Sequence, residues 1–454
     1  MKYGEVINPC KQVSNFLYYN HLKGGKVMLT KEIIKTYEDV LIEELQPAMG
    51  CTEPIAIAYG ASILGDALGV YPTEISVGLS GNIIKNVKSV IVPSTGGMHG
   101  IESAVSAGIV AGHPEKKLEV LSSLGEDAKE KIFAFMASSK ITISELSSPC
   151  TFDLYLEGRI DGKFASVRIT ERHTNVISVI VNGENLTHKY MQSGVIFSNE
   201  NKADKSLLNV EKIVEFAETC DLERIKPCIL RQIEMNMAIA KEGLKNKYGA
   251  SIGQLLYKNG DVDVLTKARA FAASGSDARM SGCELPVCII SGSGNQGITA
   301  SVPVVIYAKE LGYSEEQMIR AVVLSDLITV HLKTGIGCLS AYCGAISAGC
   351  GAGAGICFLK GGRYYEIAHT IVNSVAILSG TICDGAKPSC AAKIAMAVEA
   401  GVMGYEMAAT KRQFVSGDGI VVKGVENTIK NVGILAREGM SETDKKIISL
   451  MLGK

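Results

Sequence analysis

From Thr30 onward the apolar positions Ile33, Ile34, Tyr37, Leu41 and Leu45 recur at helical spacing, and Gln46-Pro47 ends the run, which predicts a first helix. A second helix is expected from about Pro54 to Leu68, stopping at Gly69, with Gly50-Cys51-Thr52-Glu53 between the two. TEISVGLS and NVKSVIVP bracket Gly81-Asn82 and predict a strand pair. PSTGGMHG (93–100) then forms a glycine-rich turn into the small-residue segment 101–112. The clearest sheet signal lies in 151–183, where FDLYLEGRI, FASVRIT and VISVIVN are separated by Asp161-Gly162 and by Arg172 to Asn175, a three-strand meander. Beyond a polar stretch at about 197–206 the pattern is mostly helical with glycine breaks, and no repeat of solenoid period occurs. The expected fold class is α+β: a small β-containing part over 28–205 and a larger, Gly/Ala/Cys-rich, all-helical C-terminal domain over 206–454.

Two uncharged stretches, Thr334–Leu359 and Leu285–Ala308, are long enough to require a membrane test. The first is mostly Gly, Ala, Cys and Ser, the second contains SGSGNQG and Pro303, and the chain has no Trp for an interfacial belt. Both therefore read as buried helices of a globular core. With 46 basic against 47 acidic residues the charge is balanced, and no basic block indicates nucleic acid or an anionic membrane surface. The expected molecule is a cytoplasmic enzyme with a small-molecule substrate and no nucleic-acid or membrane partner, the assembly of a homo-oligomer being left open. Residues 1–27 show no strong period, lack the apolar core of a signal peptide and precede Met28, so they are expected to be a non-native or disordered leader.

Cysteine usage changes the picture most. Of 13 cysteines, six fall between Cys338 and Cys390, and the absence of a secretory signal points to thiolate or soft-metal chemistry rather than disulfides. Cys383 and Cys390 flank the turn residues Asp384-Gly385 and Lys387-Pro388, so both are expected on a loop, where helix packing does not account for them. Cys343, Cys350 and Cys357 recur every seven residues and would share a face of one helix, as small core hydrophobes or as ligands. Convergence of the loop pair with one helix cysteine would leave one iron of a cubane free for substrate, whereas electron carriers fill all four positions. Zinc is the rival metal, although the close Cys pairs of structural zinc sites are absent.

Cys51 precedes Thr52-Glu53-Pro54 at an expected helix start, where the positive end of the helix dipole is expected to lower its pKa, with Glu53 opposing. That chemistry suits a base or nucleophile. Ser291-Gly292-Ser293-Gly294-Asn295-Gln296-Gly297 can present backbone N–H groups and the side chains of Ser291, Ser293, Asn295 and Gln296 to a small carboxylate, and Thr95-Gly96-Gly97 is a second candidate of the same kind. His99 and His331 have no metal spacing and read as structural.

QPAMGCTEP (46–54), SGSGNQG (291–297), LSAYCGAISAGCGAG (339–353) and ICDGAKPSC (382–390), taken together and in order, resemble the L-cysteine desulfidase family, which is related to the α-domain of iron–sulfur L-serine dehydratases. The resemblance spans about residues 30 to 440. It implies a lyase with an oxygen-sensitive 4Fe-4S cluster held by three cysteines, which fall here on Cys343, Cys383 and Cys390, while Cys51 matches the family's proposed base. The choice of Cys343 over Cys350 rests on the resemblance alone. The six-residue gap within the loop pair and the ending Met451-Leu452-Gly453-Lys454 depart from serine dehydratases, which have a longer gap and often a C-terminal cysteine. The expected activity is thus β-elimination of L-cysteine, with L-serine turnover or a non-catalytic iron–sulfur redox sensor as the alternatives.

Overall fold

The computed structural model describes residues 28–190 and 203–451, apart from positions 89, 123, 126, 259, 338 and 339. The expected leader over 1–27 and Cys338 lie outside the described residues. Thr30 starts α1 (Lys31–Glu44) by accepting the Ile33 N–H on its hydroxyl at 3.2 Å, and Tyr37, Val40 and Leu41 form its buried face. Pro47 then interrupts helix formation and the chain extends as β1 (Gln46–Met49). Next, α2 (Thr52–Leu68) is apolar on almost every side, is covered by protein, and ends where Gly69 takes the left-handed conformation.

The meander is present as β4 (Asp153–Ile160), β5 (Lys163–Thr170) and β6 (Val176–Val181), with Asp161 and Gly162 both at positive φ in the first turn. It belongs to a six-stranded sheet of order β3-β2-β4-β5-β6-β7, completed by β2 (Glu74–Leu79), β3 (Lys140–Glu145) and the short β7 (Glu184–Asn185). The expected strand pair around Gly81-Asn82 does not form. Ser80 precedes a helix, α3 (Gly81–Val87), whose Ile83, Ile84 and Val87 are buried at helical spacing. Both edges of β2 are already taken, by β3 in parallel and by β4 antiparallel, so no hairpin partner can dock there.

Two further helices, α4 (Gly100–Ala111) and α5 (Ala128–Ser138), precede β3, and the larger helical part follows the sheet. It consists principally of α6 (Val210–Thr219), α7 (Lys226–Lys245), α8 (Val264–Met280), α9 (Gly294–Glu310), α10 (Glu315–Ile336), α11 (Gly344–Leu359), α12 (Tyr364–Ile377), α13 (Cys390–Ala409), α14 (Val425–Ile434) and α15 (Ser441–Met451). One strand interrupts it: β8 (Pro286–Ile289) pairs antiparallel with β1, setting Pro47 opposite Cys288. The small-residue composition has a packing cause. A Cβ on Gly353 would fall 2.3 Å from the Gly401 carbonyl and one on Gly349 2.3 Å from that of Ala397, so α11 and α13 meet backbone to backbone. Cys350 and Cys357 lie buried in α11 as core residues, and all cysteines among the described residues are free thiols. No helix among the described residues is long and apolar enough to cross a membrane.

Candidate active site

The backbone-to-backbone approach of α11 and α13 brings their N-terminal ends together. Cys343 is the N-cap of α11, and Cys390 is the first residue of α13 rather than part of the preceding loop. Cys383 remains on that loop, which is fastened to the start of α11: the Cys343 N–H donates to Thr381 O at 3.0 Å and the Cys383 N–H to Ala341 O at 2.7 Å. Gly385, at φ +97°, lets the loop pass close to α3, since a Cβ there would fall 2.5 Å from the Lys85 carbonyl. The buried Lys85 ammonium donates to Cys383 O at 3.3 Å, and Lys393 donates to Ile382 O at 2.6 Å and to Asp384 at 2.7 Å.

Two more helix starts reach the same place. Cys51 is the N-cap of α2 and Ser293 the N-cap of α9. Glu53 accepts from Asn86 at 2.9 Å and from Thr52 at 3.0 Å, and the Thr52 hydroxyl also lies 2.8 Å from Gly292 O, which ties the start of α2 to the SGSGNQG loop. A cavity of about 100 Å³ results, and its lining includes Cys51, Ser293, Asn295, Gln296, Cys343, Cys383 and Cys390. Four helix N-termini thus end at one small volume, a polarity that favours anionic groups. Thr95 and Ser291 do not line it. The Thr95 hydroxyl donates to Val92 O at 2.7 Å within its own turn, and Ser291, at φ +48°, donates its N–H to Glu44 at 2.7 Å. His331 pairs with Glu426 at 2.7 Å, and neither it nor His99 reaches the cavity.

The electrostatics separate the thiols. The hydrogen bond with Cys343 does most to hold the Cys383 thiol below its usual range, helped by the Lys85 and Lys333 cations against the effect of burial. Burial pushes Cys390 up. Cys51 departs from the expected activation: burial pushes its thiol up to about 12, Glu53 and Cys390 add to that, and Arg279 opposes them without prevailing. Desolvation of a fully enclosed thiol outweighs the dipole of α2, because the charge loses its water while gaining only partial charges. The Cys51 Sγ lies 3.9 Å from Met280 Sδ, in a packed cluster with Val90 against which Cys390 also sits.

Sequence reasoning missed several cavity groups: Arg279, Lys333, Asn86 and Tyr342. For Arg279 a signal existed, a lone cation closing the small-residue run Ala272-Ala273-Ser274-Gly275-Ser276, which is buried throughout. The Arg279 Nε, the side-chain carbonyls of Asn295 and Gln296 and the Tyr342 hydroxyl are buried without a hydrogen-bond partner among the described residues. No three His, Cys, Asp or Glu side chains among the described residues are gathered as a ready single-ion site. Three thiols lining one cavity beside unsatisfied polar atoms nevertheless match the donor set of a larger sulfur-ligated group, whose ligands bind separate metal atoms.

The family model described as serine dehydratase alpha chain matches residues 115–449. A UPF0597 protein of Desulfitobacterium hafniense (strain Y51) is 51% identical over 421 residues, covering 92% of this chain and 97% of its own length. A UPF0597 protein of Treponema denticola is 42% identical over 433 residues, covering 93% and 99%, and one of Bacteroides thetaiotaomicron is 38% identical over 425 residues, covering 92% and 97%.

Proposed function

The chain belongs to the serine dehydratase alpha chain family, and on that premise we propose that it is a carbon–sulfur lyase acting on L-cysteine, with an iron–sulfur cluster as cofactor. One observation carries the reading: Cys51, Cys343 and the pair Cys383 and Cys390, from three separate segments of the chain, line one cavity. The reaction is L-cysteine + H₂O → pyruvate + H₂S + NH₃.

Cys343, Cys383 and Cys390 are the residues that would hold a 4Fe-4S cluster, one thiol short of the full set that electron carriers use. When bound, the cluster supplies Lewis acidity that makes sulfide a better leaving group. The chain's own groups do the rest. The N-termini of α9, α11 and α13 and the cations of Lys85 and Lys333 favour negative charge where the thiolates sit. Cys51 is the proposed acceptor of the Cα proton. It accepts only as thiolate, a form that Arg279 favours and burial opposes. Loss of the Cα proton and of sulfide leaves aminoacrylate, which hydrolyses in water to pyruvate and ammonia.

Elimination of water from L-serine is the second reading, favoured by the description of the matching family, whereas the short spacing of Cys383 and Cys390 favours cysteine. Anaerobic purification and reconstitution with iron and sulfide, followed by assay on L-cysteine, tests the proposal. Equal release of sulfide and pyruvate supports it. A higher kcat/KM on L-serine than on L-cysteine moves the assignment to dehydration. No turnover of either, with cluster absorbance present, removes the lyase reading and leaves a sensing role.

A further inference from the structure

The cavity holds a cation that makes no ion pair and two acceptors without a hydrogen-bond partner among the described residues. Arg279 is 4% exposed, its Nε has no hydrogen-bond partner, and no carboxylate among the described residues forms an ion pair with it. Glu53 lines the same cavity without forming an ion pair with it, and a buried guanidinium in a cavity wall with no carboxylate hydrogen-bonded to it points to an anion that arrives from outside. The side-chain carbonyls of Asn295 and Gln296, in the first turn of α9, are buried acceptors in the same condition. Two glycines make the room. A Cβ on Gly294 would fall 2.4 Å from Arg279 Nε, and one on Gly344 would fall 2.7 Å from the Gln296 side-chain carbonyl carbon.

We propose that Arg279, Asn295 and Gln296 form an α-amino-acid subsite, Arg279 holding the α-carboxylate and the two side-chain carbonyls holding the α-ammonium. The inference rests on the lyase reading above and specifies how its substrate is gripped. A guanidinium suits a carboxylate through its fixed fork of donors, and neutral carbonyl oxygens accept from an ammonium without attracting the carboxylate. The subsite recognises only what all L-α-amino acids share. Choice among them therefore falls to the substrate side chain.

L-alanine, which has no leaving group, isolates this recognition from the chemistry. Calorimetric titration of the cluster-loaded protein is expected to show L-alanine binding more tightly than propionate, which lacks the ammonium, and ethylamine, which lacks the carboxylate. In Arg279→Gln the affinity for L-alanine should fall at least about tenfold, the loss of one charge-assisted contact, while ethylamine is unaffected. Gly294→Ala, which intrudes on the guanidinium, should lower L-alanine affinity in the same direction and serves if Arg279→Gln does not fold by circular dichroism. Equal L-alanine affinity in wild type and Arg279→Gln, or wild-type protein that binds ethylamine as well as L-alanine, overturns the subsite. Sulfide release from L-cysteine by the same preparations reads the parent proposal separately: turnover with unchanged alanine affinity in the variant rejects the subsite alone, whereas Arg279-dependent alanine binding without turnover supports the subsite and rejects the desulfidase.

Discussion

Lys85 and Asp444 form a buried ion pair that joins α3 to the C-terminal helix α15, and the same ammonium donates to the carbonyl of Cys383. The cysteine loop is thereby held from behind by a contact that spans most of the chain. Removing one partner of such a pair strands the other charge, whereas replacing both with apolar groups does not.

Asp444→Ala is therefore expected to destabilise the protein by about 3 kcal/mol and to lower the iron retained after reconstitution. The double variant Lys85→Met/Asp444→Leu should recover most of the stability. Denaturant unfolding and iron content measure the two effects, and a double variant no more stable than the single one would argue against stranding of Lys85 as the cause.

Single replacement of Cys343, Cys383 or Cys390 by alanine should abolish cluster absorbance after reconstitution. Cys350→Ala and Cys357→Ala should keep it and cost about 1 kcal/mol each, since both thiols lie in the packed interior of α11. Loss of the cluster in Cys350→Ala instead of Cys343→Ala would reassign the helix ligand.

Cys51→Ala should retain cluster absorbance and lose about 10²-fold or more of turnover, the usual contribution of a positioned proton-transfer group. Loss of solvent exchange at Cα of L-alanine in the variant would attribute the defect to proton removal. Unchanged turnover would exclude Cys51 as the base.

Gly353→Ala places a methyl 2.3 Å from the Gly401 carbonyl of α13. The helices have to separate, so a loss of about 1–3 kcal/mol is expected, accompanied by weaker cluster retention because Cys343 and Cys390 open these two helices. A thermal melt within experimental error of wild type would contradict the close approach.

Burial raises the Glu426 carboxyl, but the His331 hydrogen bond and charge and the Val210 N–H outweigh it and hold the group below its ordinary value of 4.5. Its folded-state value is the lower one, so its stabilising contribution is complete above pH 4.5 and is lost as the pH falls through the depressed value. Glu426→Gln should flatten that acid limb of the stability profile, read as thermal midpoint against pH.

Much of this protein was legible along the chain, for reasons that can be traced to individual residues. The run Ile33, Ile34, Tyr37, Leu41 carries its own helical period, and Asp161-Gly162 can take the positive φ values of a tight hairpin, so α1 and the β4–β5 turn follow from local chemistry. The turn residues around Cys383 put it on the loop where it lies, whereas Cys390, expected on the same loop, opens α13. Tertiary structure decided the rest. Ile83, Ile84 and Val87 fit a strand as well as a helix until β3 and β4 occupy both edges of β2. The dipole at the start of α2 is local, but the burial that pushes Cys51 up to about 12 comes from Val90, Met280 and their neighbours, which meet it only in the folded chain. Arg279 stands alone in sequence and acquires meaning beside Asn295 and Gln296, because backbone period and turn chemistry are properties of neighbouring residues, whereas desolvation and the convergence of four helix ends belong to the packing of distant ones.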